Sequence, residues 1–308
     1  MSAPAELAGS PEVGVRAHRV RVPLRVPLGG QMFREATLLE GSAGWGEFSP
    51  LPGYPCDPRQ CEEAAREAAS VGWPAAVRAE VPVNALVPAV DPDTAAGLTA
   101  EAVAAGIGTV KVKVGEASPA EDADRVAAVR AALGPGGRIR LDANGAWDVD
   151  TAVAAIGRLA GFDLELVEQP VADLEDLSRV RRRVAVPVAA DECLRSLDDA
   201  RRVAALHAAD VVVVKVQPLG GVRAALEVIE AAGVPAIVSS LYETSVGLAA
   251  GVALAAALPE LPYACGLGTA SLLAGDVVAD PLVPRRGVLP VHRPEPDPAL
   301  LARWGIES

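Results

Sequence analysis

From residue 81 onward the sequence repeats. Valine-rich runs at Val81–Ala89, Thr109–Gly115, Arg138–Gly145, Leu164–Pro170, Val186–Glu192, Asp210–Pro218, Pro235–Glu243 and Tyr263–Thr269 start 22 to 29 residues apart. Ala-rich segments with helix-start signals lie between them. Ser118-Pro119-Ala120-Glu121 offers an N-cap, a proline at the first helical position and a capping-box glutamate. Ser196 precedes a second such segment, with Asp198 and Asp199 in its first turn. Eight strands alternating with helices at this interval predict an α/β fold of the (β/α) barrel kind. A doubly wound sheet is the competing architecture. It ordinarily carries a glycine-rich phosphate loop after its first strand, and none follows Val81–Ala89.

Residues 1–80 do not share the rhythm. Val13–Val26 and Thr37–Glu40 read as alternating strands, followed by the turn Ser49-Pro50-Leu51-Pro52-Gly53 and a helix over about Pro58–Ser70. The expected organisation is a small α+β capping domain over 1–80, a barrel over 81–280, and a segment over 281–308 that returns to the cap. Aromatic residues are only 3% of the 308, so the core has to be built from Val, Leu, Ile and Ala.

A net charge of −12 disfavours broad attraction to nucleic acid or to an anionic membrane. The most apolar stretch, Val246 to Leu258, falls short of the roughly 20 residues that cross a bilayer. The N-terminus has no signal-peptide pattern. Four scattered cysteines, Cys56, Cys61, Cys193 and Cys265, form neither a disulfide framework nor a paired zinc motif. A cytoplasmic protein acting on a small carboxylate, with no protein partner implied, is the expectation. Its three histidines lie away from the clusters described next, which disfavours triad or poly-histidine metal chemistry.

Side chains alternate between the faces of a strand. In Thr109–Val114 the valines share one face and Lys111 and Lys113 the other. In the next run Ile139, Leu141 and Ala143 oppose Arg138, Arg140, Asp142 and Asn144. A solvated edge strand could show the first pattern, but two successive charged inner faces are unusual for a barrel. Asp142, Glu168 and Asp191 end three consecutive strands, where barrel enzymes keep their active sites. Each alone reads better as a helix N-cap just beyond its strand, but all three in register on adjacent strands do not. Together they would repel one another unless a cation neutralised them, and an all-oxygen site suits Mg²⁺. Lys215 lies four strands beyond Lys113, on the opposite wall. A lysine beside a divalent cation in a dry pocket is expected to have a lowered pKa and to serve as a base.

These residues resemble the enolase superfamily, in its muconate-lactonizing-like branch, over nearly the whole chain. Gly44–Gly53, Ser239–Leu248 and Gly266–Thr269 are similar to the o-succinylbenzoate synthase family of that branch. The resemblance implies a modified (β/α)7β TIM-like barrel with a capping domain. It implies Mg²⁺, with Mn²⁺ able to substitute, on Asp142, Glu168 and Asp191, and Lys113 and Lys215 as catalytic lysines. The implied reaction is syn-dehydration of 2-succinyl-6-hydroxy-2,4-cyclohexadiene-1-carboxylate to o-succinylbenzoate, in menaquinone biosynthesis. Lys111, Arg140 and Asn144 would support substrate and metal, and Ser239, Ser240, Gly266 and Leu267 would line the succinyl side. The acidic Asp-x-Asp motif of the branch's dipeptide epimerases is replaced by Gly266-Leu267-Gly268. The segment around Arg25–Arg34 is short for a loop that closes over the site. Two alternatives stay open: an N-acylamino acid racemase, which would use both lysines as bases, and a catalytically silent carboxylate-binding barrel. A Schiff-base aldolase on Lys215 would leave the three carboxylates unexplained.

Overall fold

The computed structural model describes residues 14–28 and 31–306. The chain opens with three antiparallel strands, β1 (Arg16–Leu28), β2 (Gln31–Gly41) and β3 (Gly44–Phe48), followed by helix α1 (Pro58–Arg66) and a π-helical turn over Glu67–Val71. Asp57 caps α1 through the Arg59 N–H, and Pro58 opens it. Gly46 is required where β3 crosses this helix. A Cβ there would sit 2.0 Å from the Ala65 carbonyl oxygen.

The alternating part follows. Its elements are β4 (Glu80–Pro82), β5 (Ala85–Val87), α2 (Pro92–Ala104), β6 (Thr109–Lys113), α3 (Pro119–Leu133), β7 (Arg138–Asp142), α4 (Val149–Leu159) and β8 (Leu164–Glu168). Then come α5 (Leu174–Arg181), β9 (Val188–Ala190), α6 (Leu197–Leu206), β10 (Val211–Lys215), α7 (Val222–Ala232), β11 (Ala236–Ser239) and α8 (Ser245–Ala257). Strands β5 to β11 form one parallel sheet of seven in sequence order. Closure comes from Cys265, which bridges Val83, and Gly266, which bridges Ser239. The fold is the modified (β/α)7β barrel with its N-terminal cap. Helix starts follow the sequence signals: Ser118 and Glu121 form a reciprocal capping box on α3, and Ser196 caps α6.

The main core lies between sheet and helices, with Val110, Val112, Val114, Ile139, Leu141, Val167 and Val214 facing outward into it. A smaller apolar plug of Leu166, Ala189, Val211, Val213 and Ile237 fills the barrel interior. Phe48 is the only aromatic among the fully buried apolar side chains of the described residues. After the barrel, β12 (Val288–Pro290) pairs antiparallel with β4. Helix α9 (Pro298–Trp304) then packs on β1, where the Ile306 N–H donates to the Arg19 carbonyl. No helix among the described residues is long and apolar enough to cross a membrane.

Candidate active site

Strand register gathers the site. Lys113 pairs with Asp142, and Asp142 with Glu168, so these three strand-end residues occupy one layer. On the far side Lys215 pairs with Ser239, and Ser239 bridges Gly266. Asp191 lies just beyond β9, two residues past Ala189, which pairs with Glu168.

Asp142, Glu168 and Asp191 are 1–3% exposed. Lys111 Nζ lies 2.8 Å from Asp142 Oδ2 and 2.6 Å from Glu168 Oε1, while Lys113 Nζ lies 2.7 Å from Asp142 Oδ2. Lys113 also donates to the Asn144 Oδ1, and Asn144 Nδ2 donates to Glu192 Oε1 at 2.8 Å. Across the barrel Lys215 is ion-paired with Asp191. The Tyr54 hydroxyl, brought in from the cap, donates to Asp191 Oδ1 at 3.0 Å and accepts from Lys215 Nζ at 3.2 Å. The Lys215 ammonium also sits 4.5 Å from the centroid of the Tyr54 ring.

Electrostatics follow from this crowding. Burial and then the Asp142 carboxylate push Glu168 up to about 8. Burial would raise Asp142 too, but Lys111 and Lys113 outweigh it and hold Asp142 well below the ordinary carboxylate range. For Lys111 and Lys215 burial acts downward and loses to the carboxylates, Asp142 and Glu168 for the first, Asp191 and Glu192 for the second. Both lysines are therefore raised. The sequence reading expects Lys215 to be lowered. Its sign reverses here because the carboxylates act on it undiminished; a divalent cation shared by those carboxylates would take up that negative charge.

The donor set suits such a cation. Three buried carboxylates end adjacent strands and offer oxygen only, as a hard divalent ion of the Mg²⁺ type prefers. Glu192, beside Asp191, keeps Oε2 buried with no hydrogen-bond partner, and Glu168 stays raised despite Lys111. As the side chains stand, no three His, Cys, Asp or Glu groups among the described residues form a ready cation cage. The Lys111 ammonium lies between Asp142 and Glu168 instead.

Two sequence expectations need correction. Arg140 does not reach the carboxylates. Two residues before Asp142 it lies roughly 6.6 Å deeper in the barrel, paired with Glu165 and donating to Asn84 Oδ1 and the Ala264 carbonyl. Leu267 turns its side chain outward, fully buried against Gly251 of α8, so only its backbone can face the mouth. Ser239 and Ser240 stay near the last strand segment, with Ser240 Oγ donating to the Gly266 carbonyl at 2.8 Å. Of the Arg25–Arg34 segment, residues 29–30 lie outside the described residues. The rest forms the β1–β2 hairpin, and exposed Met32 and Phe33 flank a cleft of about 570 Å³ that Tyr54 also lines.

Sequence reasoning missed Tyr54, Glu192 and Gln169. Glu192 and Gln169 directly follow Asp191 and Glu168, so adjacency was their only signal. Tyr54 had none, sitting in a turn-rich stretch. Gln169 holds φ +40°, a conformation that costs a non-glycine residue about 1–3 kcal/mol and persists only when its surroundings over-determine it.

The chain is similar to known proteins over most of its length. Residues 94–296 match the enolase C-terminal domain-like family, and residues 19–69 the enolase N-terminal domain-like family. The o-succinylbenzoate synthase of Thermobifida fusca (strain YX) is 58% identical, covering 93% of this chain and 90% of the relative. That of Mycolicibacterium smegmatis is 46% identical over 93% and 89%. Among solved structures, muconate lactonizing enzyme from Pseudomonas fluorescens complexed with muconolactone superposes with TM-score 0.85. It is 22% identical and covers 95% of this chain and 98% of that one, a likeness of fold alone. A dipeptide epimerase from Enterococcus faecalis V583 gives TM-score 0.80 at 25% identity, over 92% and 97%. The chain belongs to the enolase superfamily, in its o-succinylbenzoate synthase family.

Proposed function

We infer that this chain is an o-succinylbenzoate synthase, a carbon–oxygen lyase that dehydrates 2-succinyl-6-hydroxy-2,4-cyclohexadiene-1-carboxylate in menaquinone biosynthesis. The observation that carries this reading is the 58% identity, over 93% of the chain, to a relative of that name. The barrel mouth supplies chemistry that suits it. Asp142, Glu168 and Asp191 would hold Mg²⁺, or Mn²⁺ in its place. A cation held there would supply stabilisation of the negative charge that develops on the substrate carboxylate. Lys113, the more open of the two lysines at 20% side-chain exposure against 7%, takes the α-proton and returns it to the departing hydroxyl on the same face. Lys215 faces the intermediate from the other wall as a fixed charge. Lys111 holds Asp142 and Glu168 in place, and Asn144 orients Lys113. Ser239, Ser240 and Gly266 line the side that takes the succinyl group. The four free cysteines accord with a cytoplasmic location.

The test is steady-state formation of o-succinylbenzoate, run beside racemisation of an N-succinyl amino acid. Dehydration should be the faster activity, and exhaustive chelation should abolish it until Mg²⁺ or Mn²⁺ is restored. Racemisation without dehydration would favour the N-acylamino acid racemase reading. Full activity after chelation would exclude the role given to the carboxylates.

A further inference from the structure

Gln169 is fully buried next to Glu168, and every polar atom it has is used. Its backbone N–H donates to the Ala189 carbonyl at 2.8 Å, and its own carbonyl accepts from the Gly145 N–H at 2.7 Å. The side-chain oxygen accepts from the Asp191 N–H at 2.7 Å, and from the Cys193 N–H and thiol at 3.4 and 3.2 Å. The side-chain amide donates to the Val171 carbonyl at 2.7 Å and more weakly to Ala172 at 3.5 Å. One residue thus ties together the loops after β7, β8 and β9, the three strand ends that carry Asp142, Glu168 and Asp191.

These ties also account for its backbone. At φ +40° a glutamine is strained, and the strain turns its side chain back under the Asp191 loop, where the oxygen meets the Asp191 N–H. Packing alone does not demand this. A glycine would adopt the same φ without cost but would leave the Asp191 and Cys193 donors unpaired.

We propose that Gln169 is a positioning residue that sets the spacing of Asp142, Glu168 and Asp191, and through that spacing the affinity of the chain for a divalent cation. The inference rests on the reading of those carboxylates as metal ligands. Gln169 touches no substrate, so its loss should weaken metal binding while leaving the chemistry of the loaded enzyme nearly intact.

The probe is Mn²⁺ alone, titrated into the full chain and followed by the electron paramagnetic resonance signal of the free ion. Two variants separate the site from the fold. Gln169→Met keeps side-chain length without hydrogen bonding, and Gln169→Gly relieves the strained φ. In either variant that folds with a cooperative melt, the Mn²⁺ dissociation constant should rise by about 10–100-fold. At saturating Mn²⁺, kcat and the substrate KM should stay close to wild type. Wild-type affinity in a folded variant would overturn the proposal. Failure of both variants to fold would also overturn it, because the residue would then serve the barrel and not the spacing of the carboxylates. A wild-type chain that binds no Mn²⁺ would instead overturn the metal reading beneath it.

Discussion

Lys113 and Lys215 occupy different surroundings, and the difference bears on what each can do. Lys113 rests against Asp142 and Asn144, one-fifth exposed, at the open rim. Lys215 is 7% exposed, paired with Asp191 and laid over the Tyr54 ring. A side chain held between Asp191 and Tyr54 is poorly suited to shuttling a proton and well suited to presenting a constant charge. Lys215→Ala should therefore lower kcat for dehydration by about 10²–10³-fold, the usual loss for one preorganised electrostatic contact. Lys215→Arg keeps the charge but cannot act as a base, since arginine stays protonated. It should recover at least about tenfold of that loss, well above the limit of a steady-state assay whose electrostatic signal is this large. Equal collapse of both variants, each shown to be folded, would indicate that Lys215 moves a proton. Residue-level detail of this kind was only partly legible in the sequence. Alternation placed Lys111, Lys113 and Asp142 on the inner face, because strand period is fixed. It could not say how deep each side chain ends, which is why Arg140 is expected to support substrate and metal although it pairs with Glu165 inside the barrel.

Between elements, the informative junction is that of β3 with α8. Glu47 on β3 is fully enclosed, accepting from Ser49 Oγ at 2.7 Å, from the Gly247 N–H at 3.0 Å, and from Thr244, the N-cap of α8. Gln217, after β10, accepts from the Ser49 N–H at 2.9 Å and donates to Glu243 at 3.2 Å. Arg34 donates from β2 to the Ser49 and Pro50 carbonyls. The cap is thus joined to the barrel by a buried polar network. Burial raises Glu47 to about 7, against the hydrogen bonds from Thr244 and Ser49 that favour its charged form. A carboxyl raised on folding binds its proton more tightly in the native state. Its contribution to stability is complete below the unfolded value of roughly 4.3 and is lost as pH rises through about 7. That loss is on the order of 3 kcal/mol. Urea unfolding of Glu47→Gln at several pH values across this window should show a flatter decline than wild type, whatever the offset between them. Parallel declines would place the proton elsewhere. The motif around Glu47 was visible in the sequence, but its partners Thr244 and Gly247 at the start of α8 lie about 200 residues away and no local pattern announces them.

At the scale of the whole molecule, the alternation of valine runs and alanine-rich helices was enough to specify the barrel, because each strand has to bury one face against a helix layer. The ends of that pattern were less legible. Val81–Ala89 divides into β4, which pairs with the returning β12, and β5, which joins the barrel. The last run, Tyr263–Thr269, contributes only bridges at Cys265 and Gly266 before a 3₁₀ turn at Gly268–Leu272. Both departures come from chain closure, a long-range event that hydrophobic period does not encode. Tyr54 is of the same kind, since only the docking of cap on barrel brings it to Lys215. On the proposed mechanism Lys113, at the barrel mouth, removes the α-proton of a cyclohexadiene carboxylate. The most direct measurement is the rate of o-succinylbenzoate formation by Lys113→Ala beside wild type, both Mg²⁺-loaded, with the variant shown to be folded and to bind Mn²⁺. The variant should be slower by about 10²–10⁴-fold, the usual share of a general base; dehydration at the wild-type rate would contradict the account.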